Sequence, residues 1–373
     1  MNKKIFVLGT GAQGSTIAMR LDEEPGVSQI ICADYNLEAA QRLEKLLTKA
    51  TAVKVDGNNI KEILEASKGA DLIVNGLPPD FNINLMEAAL GGKMNYQDMA
   101  SGPVEDIDFV GAVKRQLSYD DKFKKAGLSA LINTGSAPGL VNVLARNEAD
   151  KLDELEHIEI FVYDSIWTHK FIPFWWSPET AFGDMAARPV IYENGEYKLV
   201  KPFNNPRMIE FMGLGARRMV DHEHEEPVTF GMFFEGLKSA NFKYGGKACD
   251  LAESLYKMGL LSKDPVEING VKVTPLDLVC KLTPPAPSDP AAIKEALSQG
   301  MELEEGAAMV RVKGNKEGRQ LCIDCYINAP GLTESFEKYG ITHESFITGQ
   351  SAFLFTKLFV NDKISKTGVF PPE

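Results

Sequence analysis

The sequence predicts an α/β fold: a doubly wound parallel sheet joined to a second α+β domain with a mostly antiparallel mixed sheet. Three observations carry this. An apolar strand-like run passes through a glycine-rich turn into a helix-like segment at the start of the chain, helical and strand-like patterns then alternate through residue 132, and beyond about residue 145 hairpins built on Asn-Gly turns take over. The length of 373 residues suits two domains, each with apolar content enough for its own core.

The first unit is the most informative. Lys4-Ile-Phe-Val-Leu8 leads into Gly9-Thr10-Gly11-Ala12-Gln13-Gly14, a helical pattern follows, and Ile30-Ile-Cys-Ala-Asp34 forms a second strand-like run. Gly9 permits the tight turn, Gly11 leaves the backbone open to a pyrophosphate, and Gly14 lets helix and strand lie close. Ala12 and Gln13 begin the helix, whose free N–H groups and partial positive charge favour an anion. Asp34 is then placed to accept hydrogen bonds from an adenosine ribose, and its charge would repel a 2′-phosphate. After Asp34 no basic residue follows until Arg42. The pattern points to a dinucleotide, NAD in preference to NADP; the plainer alternative is glycines that only allow a tight turn.

The alternation continues with a helix over 37–47, a strand over 51–55 ending at Asp56, a helix over 60–67, and a strand over 71–74 ending at Asn75. Next come a helix over 82–90, a short strand near 94–96, a helix over 111–126 and a strand over 128–132. Six strands with crossover helices make a doubly wound sheet, and such sheets bind ligands beyond the carboxyl ends of their strands. That rule gathers Gly9, Asp34, Asp56, Asn75, Leu77, Pro78, Asp98 and Pro138 around one crevice. Asp56 is placed for the adenine, and Asn75 to Pro79 for the nicotinamide half. Pro78-Pro79 equally suits a turn leading into a helix.

In the second half, Ile191 to Val200 and Val266 to Val273 each carry Asn-Gly between alternating flanks, and Met309 to Ile327 turns at Asn315 to Gly318. Glu344 to Phe359 has apolar residues at helical spacing that suit packing back on the first domain. The expected division is residues 1–143 with 342–373 for the dinucleotide, and 144–341 for substrate and a dimer surface.

Forty basic against fifty-two acidic residues give a net charge of −12, which disfavours nucleic acid and anionic membrane surfaces and favours small-molecule partners. No apolar run is long enough to span a bilayer and no signal-peptide core opens the sequence, so a cytoplasmic location is expected. Five scattered cysteines imply no disulfide framework. Cys322 and Cys325 fall on one strand-like run, where residues three apart face opposite ways.

With Gly135-Ser-Ala-Pro138-Gly139-Leu-Val-Asn142 added to the glycine fingerprint, the chain resembles the saccharopine dehydrogenase-like family, which includes lysine 6-dehydrogenases and carboxynorspermidine dehydrogenases. Further matches are Trp176-Ser-Pro-Glu179, His222 with Glu226-Pro-Val-Thr229, Lys243-Tyr-Gly-Gly246 and the ending Lys366-Thr-Gly-Val-Phe-Pro-Pro-Glu373. Length and ending look most like lysine 6-dehydrogenase. The resemblance implies a Rossmann domain completed by the C-terminal helix, a mixed-sheet domain holding an amino-acid substrate, and a homodimer. Where relatives have Tyr-Pro-Gly-His this chain has Tyr244-Gly-Gly-Lys247, so no histidine role carries over there.

Oxidation at a C–N bond of lysine or a related diamino acid needs a neutral nitrogen and therefore a group that takes a proton. Asp98, at a strand end, is the first candidate, and His169 the second because imidazole titrates near neutrality. Asp98 could instead cap a helix, and His169 could be an ordinary surface or packing residue. An α-carboxylate needs a partner among Arg188, Arg207, Arg217 and Arg218, with Arg217 placed first. Trp176, with Phe171, Phe174 and Trp175, suits either an aliphatic substrate stem or plain packing. Asp221 to Glu225 reads as a solvated acidic run, and no metal is expected. Two alternatives stay open: reductive condensation of an amine with a carbonyl compound, and a non-catalytic dinucleotide sensor.

Overall fold

Strand β1 (Lys3–Leu8) is apolar from Ile5 onward because both faces are covered there: Ile5 and Val7 enter one core, Phe6 and Leu8 the other. The structure, a computed structural model, describes residues 2–103, 108–168, 176–287 and 289–373. It divides into two compact units, Met1–Val143 with Glu344–Glu373, and Leu144–His343.

From β1 the chain runs through α1 (Ala12–Asp22), β2 (Val27–Asp34), α2 (Leu37–Leu46), β3 (Ala50–Lys54), α3 (Ile60–Ala66), β4 (Leu72–Asn75), a short 3-10 turn (Pro79–Phe81), α4 (Asn82–Gly92), β5 (Asn95–Gln97), α5 (Phe109–Leu117), α6 (Asp120–Ala126), β6 (Ser129–Leu131) and α7 (Leu140–Ala149). The second unit holds β7 (Glu154–Trp167), α8 (Pro178–Ala186), β8 (Val190–Glu193), β9 (Glu196–Leu199), β10 (Arg207–Phe211), β11 (Gly215–Asp221), α9 (Glu226–Phe233), β12 (Ser239–Gly245), α10 (Lys247–Lys257), β13 (Val266–Ile268), β14 (Val271–Val273), α11 (Pro275–Leu282), α12 (Pro290–Ser298), β15 (Glu302–Lys316), β16 (Arg319–Ile327) and α13 (Leu332–Tyr339). Helix α14 (His343–Val360) and β17 (Gly368–Phe370) follow.

The first sheet is parallel in every pairing, in the order β17-β6-β5-β4-β1-β2-β3. The doubly wound expectation therefore holds, with seven strands rather than six. The addition, β17, is three residues long, too short for periodicity to reveal; beside β6, its Val369 N–H donates to Asp120 Oδ1 at 2.9 Å. The helix expected over 111–126 is two helices, because the Ser118 hydroxyl closes α5 on the Arg115 carbonyl at 2.7 Å and α6 starts afresh at Asp120.

Helix α14 returns to the first unit as expected, burying Ala352, Phe353, Phe359 and Val360 against Ile5, Val7 and Ile17. Polar bonds fix its register: Gln97 Nε2 donates to the Ala352 carbonyl and Thr356 Oγ1 donates to Gln97 Oε1, both at 2.9 Å.

The sheet of the second unit runs β10-β11-β12-β7-β15-β16, with β8 and β9 attached at β12. Only β12 with β7 is parallel, so the sheet is mixed. Its hairpins turn at Asn194-Gly195 and Glu317-Gly318, and a separate two-stranded sheet of β13 and β14 turns at Asn269-Gly270, each with positive φ at both residues, the left-handed pair that a two-residue hairpin needs. Cys322 and Cys325 both lie on β16 as free thiols. Among the described residues, no helix is long and apolar enough to cross a membrane.

Candidate active site

The glycine turn lies at the carboxyl end of β1, in the middle of the parallel sheet. A Cβ on Gly14 would stand 1.8 Å from the Gly9 carbonyl oxygen, so only glycine lets α1 start there. A Cβ on Gly11 would meet nothing within 4 Å, so the space above that residue is open. Helix α1 has no side-chain cap and no acidic residue in its first turn, and buried Gln13 Oε1 has no hydrogen-bond partner. An uncapped helix start beneath open space is the arrangement that receives a pyrophosphate, so the residues present fit a dinucleotide.

Asp34 ends β2 and clasps the turn. Its Oδ2 accepts from Thr10 N at 2.7 Å and Thr10 Oγ1 at 2.9 Å, and its Oδ1 accepts from Asn36 N at 2.8 Å. Neighbouring Tyr35 is exposed, with the Lys54 ammonium 5.2 Å from its ring centre. Lys54 stands in register with Asp34 across β2 and β3, a basic neighbour that sequence order concealed.

The other strand-end candidates divide into two kinds. Asp56, half-buried, accepts from Asn58 N at 2.9 Å and so shapes its own turn. Asn75 is 1% exposed; its Oδ1 accepts from Leu77 N at 2.9 Å and its Nδ2 donates to Asn82 at 2.7 Å, so it builds the loop that presents Leu77 and exposed Pro78. Pro138 is buried, in a cis peptide, between Gly135 and Gly139.

Asp98 is also 1% exposed. It accepts from Gln116 Nε2 at 2.6 Å and from Asn133 N at 2.8 Å, and a bond with Asp98 helps push the Tyr96 hydroxyl, already raised by burial, well above its usual value. The described helix that follows it, α5, is capped instead by Asp108, whose Oδ1 accepts from Gly111 N at 2.8 Å. The Asp98 carboxylate ties the end of β5 to the loop after β6.

In the second unit, Arg217 forks onto Glu305, Nη2 to Oε1 at 2.6 Å and Nε to Oε2 at 3.0 Å. The guanidinium expected to grip a substrate carboxylate is thus engaged with a carboxylate of its own chain. Trp176 is half-buried and packs against the core patch of Ile293, Ala296, Met301 and Leu332. His169, Phe171, Phe174 and Trp175 lie outside the described residues.

The expectation that Asp221 to Glu225 is a solvated run needs correction: Asp221, Glu225 and the following Glu226 are buried. Asp221 accepts from the fully buried Lys243 ammonium at 2.5 Å. His224 Nδ1 and Glu226 Oε2 are hydrogen-bonded at 2.6 Å; burial draws the His224 pKa down, but the Glu226, Glu225 and Asp184 carboxylates outweigh it and lift it to about 9. Burial first, then Asp184 and Glu225, raises Glu223 to about 7, and burial raises Asp184 to about 6. Ligand atoms of His224, Glu225 and Glu226 lie within 4.8 Å of one another, with His224 and Glu226 hydrogen-bonded to each other. No spacing rule foretold the cluster; its one signal was Glu226 opening an apolar helix.

Two family models match the chain: "Saccharopine dehydrogenase NADP binding domain" over residues 5–131 and "Saccharopine dehydrogenase C-terminal domain" over residues 135–373. Carboxyaminopropylagmatine dehydrogenase of Synechocystis sp. is 24% identical, with 99% of this chain and 92% of that protein covered. Carboxynorspermidine synthase of Vibrio alginolyticus is 25% identical, with 99% and 91% covered. Apo saccharopine dehydrogenase (L-Glu forming) of Saccharomyces cerevisiae shares the fold at a TM-score of 0.68 and 14% identity, over 100% of this chain and 94% of that one. With a glycine turn built for a dinucleotide and both family models matched from Ile5 to Glu373, the chain belongs to the saccharopine dehydrogenase family.

Proposed function

We propose that the protein is a nicotinamide-nucleotide oxidoreductase that makes or breaks a C–N bond by reductive condensation of an amine with a carbonyl compound, and the reverse. The observation that carries this is the uncapped start of α1 beneath the open space at Gly11, with Asp34 at the next strand end. Both relatives above are named for carboxylated amines, which favours a carboxyl-bearing secondary amine as substrate over lysine alone. A nicotinamide nucleotide supplies the two-electron donor or acceptor when bound.

The chain's own residues do the rest. The first-turn N–H groups of α1 hold the pyrophosphate. Asp34 accepts from the ribose hydroxyls and disfavours a 2′-phosphate, which supports NAD over NADP. Asn75 fixes the Leu77–Pro78 loop beside the nicotinamide half. Asp98 acts as the anchor of the loop after β6, since a proton taken up at that carboxylate would remove the charge that strengthens the bonds from Gln116 and Asn133. Residues of the second unit would hold the substrate, and a homodimer is part of the same proposal.

The test is an absorbance assay at 340 nm. NADH should be consumed only when an amine and an aldehyde or ketoacid are both present, and secondary-amine products should be oxidised by NAD. Oxidation of L-lysine alone, without a second substrate, would return the substrate assignment to lysine. Tight NADH binding without turnover across the panel would favour the sensor.

A further inference from the structure

Glu373 follows β17, which lies beside β6 at the edge of the parallel sheet. Its Oε1 accepts from Asn142 Nδ2 at 2.9 Å, and Asn142 Oδ1 accepts from Gly139 N at 2.8 Å. Its Oε2 is shielded from solvent. Gly139 has φ +129°, and a Cβ there would stand 2.2 Å from the Gly135 carbonyl oxygen, so the loop that carries Asn142 into position has no alternative conformation for a larger residue. Two motifs far apart in sequence, Gly-x-x-Pro-Gly-x-x-Asn and the chain's last residues, thus meet to orient one acid.

The sheet order decides what that acid can reach. Asp34 marks the adenosine end at β2, and a dinucleotide crossing β1 lays its second half over the ends of β4, β5 and β6. Glu373, just beyond β17, stands at the end of the sheet away from Asp34, the end toward which that second half extends. Whatever exchanges electrons there carries, on the proposed function, a nitrogen that is positive both as ammonium and as iminium. A fixed carboxylate complements both forms.

We infer that Glu373 joins the substrate-binding residues and holds the cationic nitrogen of the amine, oriented by Asn142. This rests on the amine-oxidoreductase function proposed above. The role is binding only; no proton or electron has to move through Glu373.

The experiment is calorimetry on the full chain. NADH is titrated first, and then 1,3-diaminopropane, agmatine and L-lysine are each titrated into the NADH complex of the native protein and of Glu373→Gln. Glutamine keeps an oxygen for Asn142 and loses the charge, so the expected result is unchanged melting, NADH affinity within about twofold, and roughly 10- to 100-fold weaker binding of whichever amine the native protein takes, the range for a hydrogen bond to a charged group. Equal amine affinity in the variant overturns the inference. So does uptake of none of the three amines by the native NADH complex. A variant that loses NADH affinity and thermal stability along with amine binding overturns it in favour of a purely structural clasp. Failure of the native protein to take up NADH at all is a separate result: it removes the proposed function, and this inference with it.

Discussion

Asp98→Asn separates an anchor from a proton carrier. Aspartate offers two acceptor oxygens, and the structure uses both: Asn133 N–H points at Oδ1 and Gln116 Nε2 at Oδ2. Asparagine has the same shape but one acceptor, so one of those donors must face an amide NH2 in a site that is 1% exposed. A hydrogen bond to a charged group is worth about 1.5–3 kcal/mol, and a buried donor left facing another costs about 1–3 kcal/mol more. The variant should therefore lose about 2.5–6 kcal/mol. At roughly 2–4 °C per kcal/mol, the slope for a unit of 150–250 residues, melting falls by about 5–24 °C. The assay is a thermal melt followed by NADH affinity and turnover well below the transition. An anchor predicts lowered melting and turnover reduced less than tenfold where the protein is folded. Unchanged melting with turnover lost more than a hundredfold would refute this reasoning and make Asp98 the proton-transfer group.

Asp34→Ala should weaken NADH by about 10- to 100-fold, the loss of charge-assisted bonds to the ribose, while NADPH changes little; an unchanged ratio of the two dissociation constants, measured by fluorescence titration, would mean another group reads the ribose. Gly14→Ala places a methyl 1.8 Å from the Gly9 carbonyl oxygen, so NADH affinity should fall at least tenfold as the turn is forced open, and a variant binding normally would show that the turn yields freely. Burial depresses His343 to about 4, below the ordinary 6.5, so the folded protein keeps it neutral where the unfolded chain is protonated. Its stabilisation is complete above pH 6.5 and is lost as pH falls toward 4, on the order of 3 kcal/mol. Denaturant melts across that range should be flatter for His343→Gln, and parallel curves would contradict the assignment. Lys243→Met leaves Asp221 as a buried carboxylate without its ammonium and should cost about 3–5 kcal/mol in the same melts; a variant as stable as the native protein would show that Asp221 is readily neutralised.

The first unit was legible because a parallel strand covered on both faces reads as a continuous apolar run and because the glycine turn has a fixed chemistry at fixed spacing. The hairpins of the second unit were legible for a similar reason, two-residue turns demanding left-handed residues such as Asn194-Gly195. Strand β17 was not, since three residues carry no periodicity and its place is set by β6, more than two hundred positions away in sequence. The site divides along the same line. Backbone geometry at Gly11 and Gly14 is written locally, whereas Lys54 beside Asp34, Glu305 on Arg217, and Glu373 on Asn142 are meetings made by the fold. Burial inverted one expectation: charges from Asp221 to Glu225 read as solvated, yet Asp221 and Glu225 are buried, and Asp221 has the buried Lys243 as its partner.

The most direct test of a dinucleotide seated on the first turn of α1 is titration of the purified chain with NADH and NADPH by calorimetry. Saturable uptake of one nucleotide per chain, with NADH the tighter, is the expected result. No uptake of either would contradict the proposed function at its root.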